Sequence, residues 1–258
     1  MTPESAGIDT TLDAVLGGRL QVRQPRRGHR VGHDAILLAA STGGAYGERA
    51  VEFGAGVGAA GLAYAARCPG VRVTLVEIDP VLCAMAKENV RINRVGERFR
   101  VLTHDVTMPT LFATDLVPAG SADRILMNPP FNDPDRHNVS PDPARALAHV
   151  SAADTLARWV SSAARALSAH GVLTMIWRAD ALADVLAALH HDFGAVAALA
   201  VHPRSGAAAV RVLVRAVKGA KAPLALLPGL ILNDETGKPS AAADAILRDA
   251  KSLPLADL

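Results

Sequence analysis

Asn128-Pro129-Pro130-Phe131 follows an apolar run, Arg124-Ile125-Leu126-Met127, and its residue types suit one kind of nucleophile. A nitrogen attached to a purine ring or an acyl group is flat and delocalised, so its lone pair attacks poorly. An asparagine oxygen and a neighbouring rigid carbonyl, such as that of Pro129, accept its two N–H bonds and draw it toward tetrahedral geometry. The two prolines fix φ and hold the carbonyl in place, which is electrostatic preorganisation. Phe131 offers a face on which a flat base stacks, worth roughly 1–3 kcal/mol. A nitrogen prepared in this way is matched to a cationic methyl donor. No strong general base is needed, and catalysis rests on in-line positioning. A merely proline-stiffened loop is the competing explanation, and it gives no reason for the motif to end a strand.

Upstream, Glu52-Phe53-Gly54-Ala55-Gly56-Val57-Gly58 lies where a strand gives way to a helix. Glycines there let the backbone turn sharply and approach a ligand with no Cβ in the way. Gly54, Gly56 and Ala59 also satisfy the dinucleotide pattern G-x-G-x-x-G/A, so the loop alone does not separate a nicotinamide dinucleotide from another adenosine cofactor. Glu77 ends the next strand, where an acid accepts hydrogen bonds from ribose hydroxyls. That ribose is common to NAD and S-adenosylmethionine. Asp105 ends the third strand and is placed to accept from an adenine amino group. Asp79, two residues after Glu77 and just before Pro80, reads instead as a helix N-cap.

The elements that position these groups alternate. Helical patterns over Val31–Ser41, Ala59–Arg67, Pro80 to about Asn93, about Ala152 to Ala169 and Ala181–His190 separate apolar runs at Ala50–Phe53, Val71–Ile78, Phe99–His104, Arg124–Met127 and Val172–Trp177. Such alternation predicts βαβ units and a parallel sheet. Val196–Val201 and Ala208–Val217, joined by the turn Pro203–Gly206, predict a closing antiparallel hairpin. Asn132–Val150 shows no strand pattern and reads as a substrate-side loop. After Lys218 come one apolar run, Leu224–Leu232, and a short helical pattern, Ala241–Ala250, with no assigned role.

With these residues in register, Val51–Phe131 resembles the class I S-adenosylmethionine-dependent methyltransferases of the Asn-Pro-Pro-aromatic group, which modify adenine N6, guanine N2 or glutamine N5. The front of the chain narrows the likeness. Leu12-Asp13-Ala14, Leu16-Gly17-Gly18-Arg19-Leu20, Gln24-Pro25-Arg26-Arg27-Gly28-His29-Arg30 and Asp34-Ala35-Ile36-Leu37-Leu38-Ala39 are similar to the bacterial family related to the tRNA1(Val) adenine-37 N6 enzyme, as is the following Asp133-Pro134. The resemblance covers roughly residues 11–217. It implies a Rossmann-like α/β fold with a mostly parallel seven-stranded sheet and a C-terminal antiparallel hairpin. It also implies S-adenosylmethionine at Gly54, Gly56, Gly58, Glu77 and Asp105, with Asn128 and Phe131 at the target base; Glu52 and Asn128 are further cofactor candidates, and Pro129 and Pro130 complete the catalytic motif. The expected organisation is a basic N-terminal segment (1–33), a methyltransferase domain (34–217) and a C-terminal extension (218–258).

Charge bears on the acceptor. The net charge of +2 conceals a block from Ala14 to His33 holding Arg19, Arg23, Arg26, Arg27 and Arg30, two histidines and no acid. Such a block suits a polyanion, although an exposed arginine hairpin without a partner would look the same. Aromatic residues make up only 3% of the chain, so phosphate contacts by arginine, rather than aromatic stacking, are the expected grip on RNA. The expected substrate is adenine N6 in tRNA or other structured RNA. The alternatives are glutamine N5 of a release factor, DNA adenine, ribosomal RNA guanine N2 and, in another class, an NAD-dependent oxidoreductase. A glutamine enzyme would usually carry a helical N-terminal domain that 258 residues do not accommodate. No uncharged apolar run approaches the roughly 18 residues of a membrane span. Cys68 and Cys83 make no metal or disulfide pattern, and His137 and His149 lack metal-ligand spacing. A cytoplasmic protein without metal is the expectation, and a monomer the preferred state.

Overall fold

The computed structural model describes residues 9–27, 30–113, 115–130 and 143–258, with only the backbone of 143–152. A hairpin of β1 (Thr10–Val15) and β2 (Leu20–Pro25) precedes α1 (His33–Ser41). Then follow β3 (Arg49–Phe53), α2 (Ala59–Arg67), β4 (Arg72–Glu77), α3 (Pro80–Ile92), β5 (Phe99–Thr103) and β6 (Ala122–Met127). The second half holds α4 (Pro143–Ala166), β7 (Leu167–Arg178), α5 (Leu182–Leu189), β8 (Phe193–Arg204), β9 (Arg211–Lys218), β10 (Ala225–Asn233) and α6 (Ala241–Asp249).

Eight strands form one sheet in the order β10-β8-β9-β7-β6-β3-β4-β5. β3 to β7 run parallel, and β9 lies antiparallel between β7 and β8. The seven expected strands and the closing hairpin are therefore present. The apolar run in the tail adds an eighth, with β10 pairing parallel to β8. From β3 the chain builds outward through β4 and β5, then returns to add β6 on the other side. The crevice where strand order reverses, beyond the carboxyl ends of β3 and β6, is the usual ligand site of such sheets.

Both faces of the sheet's centre are covered, so β6 and β7 hold runs of residues buried on both sides. In β6, Leu126 packs with Leu37, Leu62 and Leu75 beneath α1 and α2. Its neighbours Ile125 and Met127 point the other way, into a core with Leu156, Trp159 and Leu189 from α4 and α5. The tail is strapped on through α6, and the Leu253 N–H donates to the Ala40 carbonyl at 2.8 Å. No helix among the described residues is long and apolar enough to cross a membrane.

One expectation fails. α4 begins at Pro143 rather than near Ala152, so the last part of the expected loop, 143–150, is helix. The segment from Pro143 to Ala153 is rich in alanine and has a proline in its first turn, both of which favour a helix. The rest of that loop, Asn132–Asp142, lies outside the described residues, as does Phe131.

Candidate active site

β3 delivers the glycine loop. Gly54, Gly56 and Gly58 have φ of 64°, 55° and 84°, the left-handed region that other residues occupy only with strain. Their reasons for being glycine differ. A Cβ on Gly54 would lie 2.5 Å from the Trp159 ring, and one on Gly58 would lie 2.8 Å from Leu75. A Cβ on Gly56 would meet nothing within 4 Å. Packing thus explains the first and third glycines, whereas Gly56 faces open space that a ligand can approach. The loop is tied to the sheet by the Ala55 N–H, which donates to the Val76 carbonyl at 3.0 Å.

Glu77, at the end of β4, is buried and turned toward this loop. Its Oε2 accepts the Gly56 N–H at 2.7 Å and its Oε1 accepts the Asp79 N–H at 2.9 Å. A carboxylate oxygen accepts two hydrogen bonds, so each keeps one lone pair for a ligand hydroxyl. Asp79 caps α3 by accepting the Val81 N–H at 2.7 Å. Glu52 is placed differently. It lies under α2, where its Oε2 accepts the Gly61 N–H at 2.7 Å, and only 5% of it is exposed. Burial pushes its carboxyl up to about 8; the Gly61 N–H opposes that shift and Glu77 adds to it. Glu52 supports the helix that follows the loop.

The remaining groups fall on the same sheet edge by register. Phe53 pairs with Val76 and with Met127, and Glu77 pairs with Thr103. Gly54, Glu77 and Asn128 are therefore neighbours in one row, with Asp105 just beyond it. Half-buried Asp105 accepts the Thr107 N–H and hydroxyl on Oδ1, each at 2.8 Å, leaving Oδ2 without a partner among the described residues. Asn128 Oδ1 is buried and has no hydrogen-bond donor among the described residues. A buried acceptor left unpaired costs about 1–3 kcal/mol, so this oxygen stands ready for a donor. Pro129 is buried and Pro130 exposed.

Arg19 stands in the β1–β2 turn, Arg23 on β2, and Arg26, Arg27 and Arg30 on the segment that leaves β2; acids from outside the block meet three of the five. Arg26 pairs with Asp9 at 2.7 Å, Arg30 with Asp13 at 2.9 Å, and Arg19 with Asp249 at 4.0 Å. Arg23 donates to the Thr10 hydroxyl at 3.3 Å, and Arg27 is exposed with no ionic partner among the described residues. Exposed pairs of this kind are worth at most about 1 kcal/mol.

Two groups here escaped the sequence reading. Trp159 of α4 backs Gly54. Asn89 of α3 is fully buried and bonds both β2 and the glycine loop. Its place three or four residues beyond Met85 and Ala86, on the buried face of α3, was the available signal. An open cleft of about 650 Å³ lies at the hairpin turn, beside α1 and Leu247, and contains none of the row described above. No group of three potential metal ligands occurs among the described residues.

Comparison with known proteins bears on the family and the fold. A model of the methyltransferase small domain matches residues 34–204. A tRNA1(Val) (adenine(37)-N6)-methyltransferase of Porphyromonas gingivalis is 30% identical over 171 residues, covering 65% of this chain and 66% of that protein, just under two thirds of its length. Among solved structures, a predicted O-methyltransferase from Agrobacterium tumefaciens has a TM-score of 0.71 at 27% identity, covering 85% of this chain and 97% of that one. A 16S rRNA N2 methyltransferase of T. thermophilus, solved with AdoMet and guanosine, shares the fold, with a TM-score of 0.57 at 20% identity over 84% of this chain and 52% of that one.

Proposed function

This chain belongs to the methyltransferase small domain family, and from that premise we propose that it methylates an exocyclic nitrogen with S-adenosylmethionine, its substrate being adenine N6 in tRNA or other structured RNA. The observation that carries this reading is the unpartnered buried oxygen of Asn128, in one row with the glycine loop and Glu77. An exocyclic amine has the N–H that this oxygen lacks.

The residues fit the cofactor. Gly56 leaves space at the loop, Glu77 keeps lone pairs for two ribose hydroxyls, and Asp105 Oδ2 is available to an adenine amino group. When bound, S-adenosylmethionine supplies a methyl group on a cationic sulfur. The chain's own part is to hold the acceptor. Asn128 Oδ1 accepts one N–H of the amine and the Pro129 carbonyl the other. Both bonds strengthen as positive charge develops on that nitrogen, which is where preorganised acceptors act most strongly. Phe131, outside the described residues, is assigned the stacking face. Arg19, Arg23, Arg26, Arg27 and Arg30 are assigned to RNA phosphates, and the P. gingivalis relative, a tRNA enzyme by name, supports a nucleic-acid acceptor.

The A. tumefaciens structure, described as a predicted O-methyltransferase, favours a second reading with an oxygen acceptor. A hydroxyl offers Asn128 and Pro129 one hydrogen rather than two, so it uses the motif less fully. Titrating the protein with S-adenosylmethionine and with NADH tests the cofactor. Saturable binding of the first alone is expected, and tight NADH binding alone would overturn the reading.

A further inference from the structure

β2 has an edge that β1 does not pair, and α3 occupies it with side chains. Asn93 accepts the Gln21 N–H at 3.0 Å and donates to the Gln21 carbonyl at 2.8 Å. Asn89 accepts the Arg23 N–H at 2.7 Å and donates to the Arg23 carbonyl at 2.9 Å. The spacing makes this possible. Four residues along a helix rise about 6 Å, and two residues along a strand span about 6.6 Å. Two side-chain amides thus imitate a third strand.

The remaining donor of Asn93 turns back to the Asn89 backbone carbonyl of its own helix at 2.8 Å, whereas that of Asn89 leaves the helix. It reaches the Val57 carbonyl at 2.9 Å, between Gly56 and Gly58. The amide therefore has its three partners divided between the strand that carries Arg23 and the loop assigned to the cofactor. Packing repeats the link. Val22 of β2, Val57 of the loop and Met85 of α3 form a small apolar cluster separate from the two main cores.

We propose that Asn89 is a positioning residue that couples the arginine hairpin to the glycine loop, so that RNA on the hairpin and cofactor in the loop raise each other's affinity. The proposal rests on the assignments of those two ligands made above. Ordering either element fixes the Asn89 amide, and the other ligand then meets an element already ordered. Thermodynamic reciprocity requires the effect to run both ways.

Hydrogen exchange on the full chain tests it, with S-adenosylhomocysteine, the unreactive product, as probe. In the wild-type protein the probe should slow exchange at Gly54–Gly58 and also at Gln21–Gln24. Asn89→Ala should keep the first effect and lose the second, while Asn93→Ala, which spares the loop bond, should keep both. Loop protection with unchanged hairpin exchange in the wild type overturns the proposal without recourse to any variant, so it stays testable if Asn89→Ala fails to fold. Equal transmission in Asn89→Ala overturns it as well. No protection anywhere overturns the cofactor assignment together with it. In parallel, bound tRNA should tighten S-adenosylhomocysteine by about fivefold or more in the wild type, and by a factor near one in Asn89→Ala. If tRNA does not bind at all, the RNA assignment fails while loop-to-hairpin protection still reports on Asn89.

Discussion

Replacing Glu52 by Gln should stabilise the protein increasingly as pH rises. Glu52 is buried under α2 with its carboxyl pushed up to about 8 from an ordinary 4.5, chiefly by burial. Below 4.5 both the folded and the unfolded chain hold the proton, and Glu52 costs nothing on that account. Between 4.5 and 8 the unfolded chain releases the proton and the fold retains it. Stability then falls by about 1.4 kcal/mol per pH unit, and the fall levels off above 8. Integrated to pH 7, the cost is about 3 kcal/mol. Gln carries no proton to lose and keeps an oxygen for the Gly61 N–H. Urea denaturation from pH 5 to 8.5 should therefore find the two proteins within about 1 kcal/mol at pH 5 and the variant ahead by about 3 at pH 7. A difference independent of pH, or a variant that loses ground as pH rises, would refute the buried neutral carboxyl.

The glycine loop separates packing from binding. Gly54→Ala drives a Cβ into the Trp159 ring and should lower Tm clearly, whereas Gly56→Ala pays only left-handed backbone strain, about 1–2 kcal/mol, and should lose cofactor affinity more than stability; calorimetry and ligand titration on both variants check this. Asn128→Ala should leave cofactor binding nearly intact while kcat falls by at least about 10²-fold; near-normal turnover in steady-state kinetics would remove Asn128 from the mechanism. Replacing Arg23, Arg26 and Arg27 by alanine should weaken RNA binding and lower the slope of log affinity against log salt by about 1 for each phosphate no longer neutralised. An unchanged slope would leave those arginines as a solvated hairpin.

Much of this fold is legible because local pattern and global topology agree. The expected bounds of α2, Ala59–Arg67, are those observed, since a left-handed Gly58 starts the helix sharply. Pro80 and its cap Asp79 start α3 in the same way. The tail was opaque for a physical reason. Leu224–Leu232 is a strand only because the outer edge of β8 is there to receive it, a long-range fact that no local period encodes. The start of α4 was missed because alanines between polar residues carry little periodicity, although they favour helix. At the site, residue types showed which groups end strands, and the strand register sets Gly54, Glu77 and Asn128 in one row. Sequence could not show that Glu52 turns beneath α2, or that Asp9, Asp13 and Asp249 come to the arginines from outside their block. The triple bonding of Asn89 depends on a helix lying against a strand some 66 residues away in the chain. It is visible only in the assembled fold.

The most direct test of nitrogen methylation on RNA is transfer of label from S-adenosylmethionine. The protein is incubated in parallel with total tRNA, ribosomal RNA and a release factor, and the products are digested to nucleosides or amino acids. Label in N6-methyladenosine from the RNA, abolished by Asn128→Ala, is the predicted result. Label in N5-methylglutamine, or on an oxygen, with none in adenosine, would contradict it.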